Sequence, residues 1–321
     1  MRIRQWRRGL AGAALLACSW GIAAIGAEHE ASGPKAASNA IPFQPFEEAA
    51  LGGAGFVQVP QRQPNDPCSQ ADVVASPSRP YWDGGAATTQ CGILESDFGW
   101  LGQPMGGGLR QQMLVSSARY GLTPRMDLRW GLINHISQSG GGYAPLAGAG
   151  DQSIAVTYRF FEQARWMPAM AFSYGIKIPF ANPAKGFGSG FIDHQLVLIA
   201  SRDVGRIHLD FDTVGTLTGE AGGHDGAPQF GLALTRQMSA KLACILESYG
   251  GPQPGTADRY GAALTGASYS LRPWLVLDGA YVKAYTAGSP RQQLLLGFTY
   301  SMRPGFGSIS AGSRLARLLG R

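Results

Sequence analysis

The chain has 321 residues, of which 15% are charged and 46 are glycine, against about 25% charged in a typical soluble domain. Its formal net charge of +6 sits at the two ends. Residues 1–27 hold Arg2, Arg4, Arg7 and Arg8, residues 303–321 hold Arg303, Arg314, Arg317 and Arg321, and neither stretch has an acid. Taking those eight from the 27 basic residues leaves 19 against 21 acidic ones in the body, which excludes a nucleic-acid surface built on charge.

The N-terminus reads as an export signal over residues 1–27. "MRIRQWRR" is basic, "GLAGAALLACSWGIAAIGA" is apolar and small, and cleavage is expected after Ala27. "LLAC" ending at Cys18 also has the form of a lipoprotein site, and 19 uncharged residues nearly suffice for a helical anchor. All three readings export the rest of the chain. Cysteine usage agrees: Cys68 and Cys91 flank a Pro/Ser/Gly-rich loop and are candidates for one disulfide in an oxidising compartment. Residues 28–90 show no long period and are expected to be an irregular periplasmic segment or a plug.

From residue 91 to 302 the pattern becomes regular. Twelve strands are expected near 91–102, 109–120, 125–137, 151–161, 167–179, 191–202, 206–217, 228–236, 240–249, 260–270, 273–283 and 291–302. Each is about as long as a tilted strand that crosses a bilayer, roughly 9–11 residues. Five connections are short ("GLTPR", "EQAR", "DVG", "QMS", "LRP"). They alternate with longer Gly/Pro-rich ones such as "SQSGGGYAPLAGAG" and "FANPAKGFGSG". That sorting by length is the pattern of outer-membrane barrels, with short periplasmic turns and long outer loops.

The strand faces point the same way. One parity is apolar, as in Met126/Leu128/Trp130/Leu132 and Leu294/Leu296/Phe298/Tyr300. The other carries Glu95, Asp97, Asp127, Arg129, Arg159, Lys177, His208, Asp210, Asp212, Glu247 and Asp278, candidates for lining a lumen. Backbone polar groups in lipid are satisfied only by helices or closed barrels. The fold expected is therefore all-β: a transmembrane antiparallel up-and-down barrel of about 12 strands, preceded by an irregular segment. Strand 191–202 ("FIDHQLVLIASR") fits less well, being apolar on both parities.

The motifs "RYGLTPRMDLRWGL", "GAGDQSIAVTYRF", "DHQLVLIASRDVGRIHLDFD", "SYSLRPWLVLDGAYV" and "LLLGFTYSM", in this order, resemble the outer-membrane proteins of the meta-pathway of phenol degradation. The resemblance covers roughly residues 89–302, including "TTQCGILESDFGWLGQ". It implies an outer-membrane barrel and, from the family's label, transport of aromatic compounds. Such barrels commonly end on an aromatic residue. Here Phe298 and Tyr300 are followed by the basic tail 303–321.

Enzyme chemistry is weakly represented. His208, Asp210 and Asp212 share one strand face with neighbours about 6–7 Å apart, a spacing open to a metal or a general base. The alternative is a lumenal charge cluster balanced by Arg129, Arg159 and Lys177. No nucleotide-binding loop or nucleophile elbow is present, and neither a cofactor nor a metal is expected. The function expected is a non-enzymatic passive channel for small apolar or aromatic solutes. The alternative is a structural or adhesive barrel without transport, its loops a binding surface. The expected partners are outer-membrane lipid, such a solute and the barrel-assembly machinery, with no nucleic acid.

Overall fold

The structure is a computed structural model that describes residues 68, 72–82, 84–252, 259–286 and 290–304. The signal read at 1–27, residues 28–67 of the irregular segment and residues 305–321 of the tail lie outside the described residues.

Alternating residues that are apolar on one parity can bury that face against lipid only if every backbone group finds a partner in the sheet. The strands meet this by closing a ring. They are β1 (Leu94–Gly106), β2 (Leu109–Thr123), β3 (Met126–Gly140), β4 (Tyr143–Gly148), β5 (Gln152–Phe161), β6 (Ala169–Ile178), β7 (Asp193–Val204), β8 (Ile207–Glu220), β9 (Gly223–Gln237), β10 (Leu242–Pro252), β11 (Arg259–Arg272), β12 (Leu275–Ala284) and β13 (Gln292–Met302). All strand pairings are antiparallel, and β13 returns to β1 with Phe98 opposite Phe298. β4 stands outside the ring, paired to the end of β3 alone.

The ring therefore has the twelve strands expected, with one more strand folded from "SQSGGGYAPLAGAG". Two other connections are shorter than the sequence pattern implies. β1–β2 and β8–β9 turn at residues 107–108 and 221–222, because the strands run on past their apolar combs. Once a strand leaves lipid, neither face has to be apolar, so the alternation that marks it fades while the hydrogen-bond ladder continues.

The outward parity carries the exposed apolar side chains: Leu128, Trp130, Leu196, Leu198, Leu232 and Leu296 are all between 40% and 54% exposed. Aromatic pairs brace this face, Phe98 with Phe298 at 5.2 Å and Trp274 with Tyr300 at 5.5 Å. β7 is apolar on both parities for a physical reason. Its inward Val197 and Ile199 pack with Ala86, Ala171 and Val214 in a cluster inside the barrel. Ala86 belongs to the segment before β1. Residues 75–86 are largely buried and bonded to the inner wall, so this part of the segment lies within the lumen. It ends at Cys91, which bridges to Gly121 at the end of β2 and is joined by a disulfide to Cys68.

Candidate functional site

The lumen has two layers. At the end where β1 begins and β13 finishes, with the turns after β2, β7 and β11, its wall is charged. At the other end, where the long loops sit, apolar side chains share it with glutamines and threonines.

Each carboxylate of the charged layer projects from the inward parity of a strand, and most meet a donor from the inserted segment. Glu95 Oε2 accepts from Ser76 N at 2.6 Å, and Asp97 Oδ2 from Ser78 Oγ at 2.7 Å. Glu247 Oε2 accepts from Trp82 N at 2.7 Å and Asp127 Oδ2 from Thr89 N at 2.8 Å. Asp210 is reached through Ser201, whose Oγ donates to it at 2.5 Å while accepting from Ala86 N at 2.6 Å. Asp278 Oδ1 faces Arg79 Nε at 3.4 Å. Hydrogen bonds to an ionised group are the strong ones, and a buried carboxylate without them is costly. The wall acids thus form a seat whose acceptors match the donors of one segment of chain.

Arg79 is the segment's ion-pair anchor. Its guanidinium lies against the wall where β1 meets β13. A Cβ on Gly99 would meet its Nη1, and one on Gly297 would stand 2.6 Å from its Nε. Only hydrogen at these two positions leaves room for the side chain. The same seam is stitched by Thr299 Oγ1 donating to Asp97 at 2.6 Å and Ser301 Oγ to Glu95 at 2.7 Å. Arg119 on β2 completes it, donating to Glu95 and, at 2.5 Å, to Ser76 O. Tyr81 donates or accepts with Thr235 Oγ1 at 2.7 Å. Burial pushes its phenol up, which keeps the hydroxyl protonated.

The candidate residues therefore separate. Glu95, Asp97, Asp127, Asp210, Glu247 and Asp278 belong to the seat. Arg129 is buried on the inward parity of β3, and Arg159 donates to Pro124 O at 2.9 Å near the β2–β3 turn. His208 lies between Asp203 (2.6 Å) and Asp210 (3.0 Å). Asp212, fully buried, faces the lumen near Gly231 instead.

Lys177 does not balance these acids. It sits in the opposite layer, paired with Asp193 at 2.7 Å and Asp151 at 3.5 Å. Lys177 is thereby set apart from the charge balance expected of Arg129, Arg159 and Lys177, and Arg79 and Arg119 make ion pairs to the seat. Arg119 stood on the inward parity of "SSARY" and was findable there. Arg79 lies in a stretch without periodicity, and no pattern marks it.

The apolar layer gathers Leu101, Met113, Ile136, Leu264, Val282 and Leu295 from the walls. Above it the β6–β7 loop, residues 179–192, folds inward. Asp151 Oδ1 accepts from Phe180 N and Ala181 N, both at 2.9 Å, and Lys177 Nζ donates to Ser189 Oγ at 2.9 Å. This sends Ala181 and Phe187 into the same apolar cluster. A small amide network, Gln293 to Gln103 (2.7 Å) and Gln103 to Gln111 (2.5 Å), edges this layer. Among the described residues no group of three His, Cys, Asp or Glu is placed to hold a metal.

No family model matches the sequence, and no curated protein does. Among solved structures the chain is similar to an outer-membrane channel of Pseudomonas putida F1. The identity is 13% over 68% of this chain and 98% of that one, with a TM-score of 0.53. Fainter likenesses are to the KdgM porin (9% identity, 65% and 99% covered, TM-score 0.44) and the NanC porin (11%, 64% and 98%, 0.43). The fold is that of bacterial outer-membrane barrels.

Proposed function

We propose that this protein is an outer-membrane channel for passive entry of small apolar solutes, closed here by its own residues 72–90. The observation that carries this is the apolar layer of the lumen. Leu101, Met113, Ile136, Leu264, Val282 and Leu295 gather beneath a loop that folds in from the mouth, and apolar contact is what this part of the lumen offers a solute. An apolar passage favours apolar solutes because they lose no hydrogen bonds on entering it. The resemblance of residues 89–302 to the meta-pathway family supports aromatic compounds within that class. In this reading the loop layer faces outward, the seat faces the periplasm, and residues 1–27 direct export.

A second reading, a structural barrel without transport, is favoured by one observation: the seat carboxylates are met so fully by the inserted segment that the lumen is filled at that level. Proteoliposome uptake separates the two. A channel admits small apolar solutes faster than sugars of equal size, and faster still when the segment is loosened. Uptake equal to that of protein-free liposomes for wild type and loosened variants alike rejects the channel.

A further inference from the structure

Trp82 is the residue on which the inside of the barrel converges. It packs against the apolar cluster of the loop layer and also against the separate cluster of Ala86, Ala171, Val197, Ile199 and Val214. Its indole lies flat on the Tyr249 ring, with centroids 4.8 Å apart and planes 5° from parallel. Tyr249 on β10 is directly opposite Gly231 on β9. A Cβ at Gly231 would come within 3.0 Å of the indole's Cε3 and Cζ3. The wall thus offers a flat notch: the Tyr249 face to stack on and, on the neighbouring strand, a position with no side chain to block a ring lying there. Parallel planes with centroids 4.8 Å apart are an offset stack, one of the two arrangements aromatic pairs favour, and the bare backbone at Gly231 gives a flat ring room to adopt it.

The polar setting fits a removable occupant. Trp82 is held by its backbone N–H on Glu247, so withdrawing the segment takes the indole off the Tyr249 face. Asp212 Oδ2 lies 3.7 Å from where a Gly231 Cβ would stand, an acceptor at the notch's edge. Both ends of the segment stay near the terminal end of the barrel, joined through Cys68 and Cys91.

The geometry points to a binding site for one planar aromatic ring on the face of Tyr249, beside the bare backbone of Gly231, occupied in this structure by the chain's own Trp82. Solute and indole compete for it, so a ring that binds displaces the residue that closes the lumen. This rests on the channel reading and adds to it a place where a solute is recognised. A tethered occupant acts at high effective concentration. The apparent affinity of a free ring is then lowered by the fraction of time the notch is empty.

The test uses the full chain in detergent and equilibrium dialysis with 3-methylindole, which is the Trp82 side chain itself. Cyclooctanol serves as a puckered apolar control. Trp82→Leu is expected to bind 3-methylindole at least tenfold more tightly than wild type, with no gain for cyclooctanol. Adding Tyr249→Leu removes that gain. Should Trp82→Leu fail to give a heat-modifiable barrel, Trp82→Phe leaves a smaller ring in the seat and is expected to give a severalfold gain.

No gain in either variant, or an equal gain for both probes, overturns the notch. Liposome uptake is measured alongside. A tenfold binding gain without uptake of any solute supports the notch and removes the channel. Uptake of both probes without a binding gain removes the notch alone.

Discussion

The two layers of the lumen are lined by the same twelve strands, yet they hold chain in different ways. At the terminal end, carboxylates on β1, β3, β8, β10 and β12 grip residues 76–89 through backbone N–H groups, hydroxyls and Arg79. At the loop end apolar side chains share the wall with uncharged Gln and Thr, and the Asp151–Lys177–Asp193 group holds the β6–β7 loop inward. Charge inside this barrel thus serves the protein's own segments.

Removing a partner at the terminal end should have the largest effect. Arg79→Ala leaves Asp278 buried without its guanidinium, and breaking a buried pair from one side costs about 3–5 kcal/mol. The expected result is a lower temperature of heat modification together with raised conductance. Arg79→Ala combined with Asp278→Ala should regain stability but not closure. A stable, closed Arg79→Ala protein would show that the segment is not held by its anchor.

Lys177→Met tests the opposite layer by the same logic. It leaves Asp151 and Asp193, both buried, facing each other, and the β6–β7 loop above them can lift so that water relieves part of the penalty. A smaller loss of stability is expected, with faster protease cutting within residues 179–192. Phe187→Ala should act more locally. Removing a buried Phe typically costs about 3–5 kcal/mol in a core, and a loop escapes part of that by lifting out. Apolar solute uptake should rise severalfold with the barrel's heat modification unchanged. Arg125→Gln is the control, since its pair with Glu162 is exposed and such pairs contribute about 0–1 kcal/mol. Neither closure nor stability should move.

The wall was legible in the sequence and its filling was not. Strand positions followed from combs such as Ile154/Val156/Tyr158, because lipid imposes a period of two that irregular segments lack. The inward acids were visible as interruptions on the other parity. What they bind was hidden: Ser76, Ser78, Trp82 and Thr89 use backbone N–H or a hydroxyl, groups that almost every residue type carries, in a stretch with no period. Asp151 and Asp193 lay just outside the combs, in what read as loop or strand margin. β4 escaped because a strand beyond the membrane needs hydrogen bonds but no apolar face.

The most direct test of the account is conductance across a planar bilayer, comparing the full chain with one lacking residues 72–90 and carrying Cys68→Ser and Cys91→Ser. Wild type should be nearly silent. The shortened chain should form an open channel that prefers cations, because Glu95, Asp97, Asp127, Asp210, Asp212, Glu247 and Asp278 then face water with Arg119, Arg129 and Arg159 as the opposing arginines. A shortened chain that still forms a heat-modifiable barrel but conducts no better than wild type, or prefers anions, would contradict it.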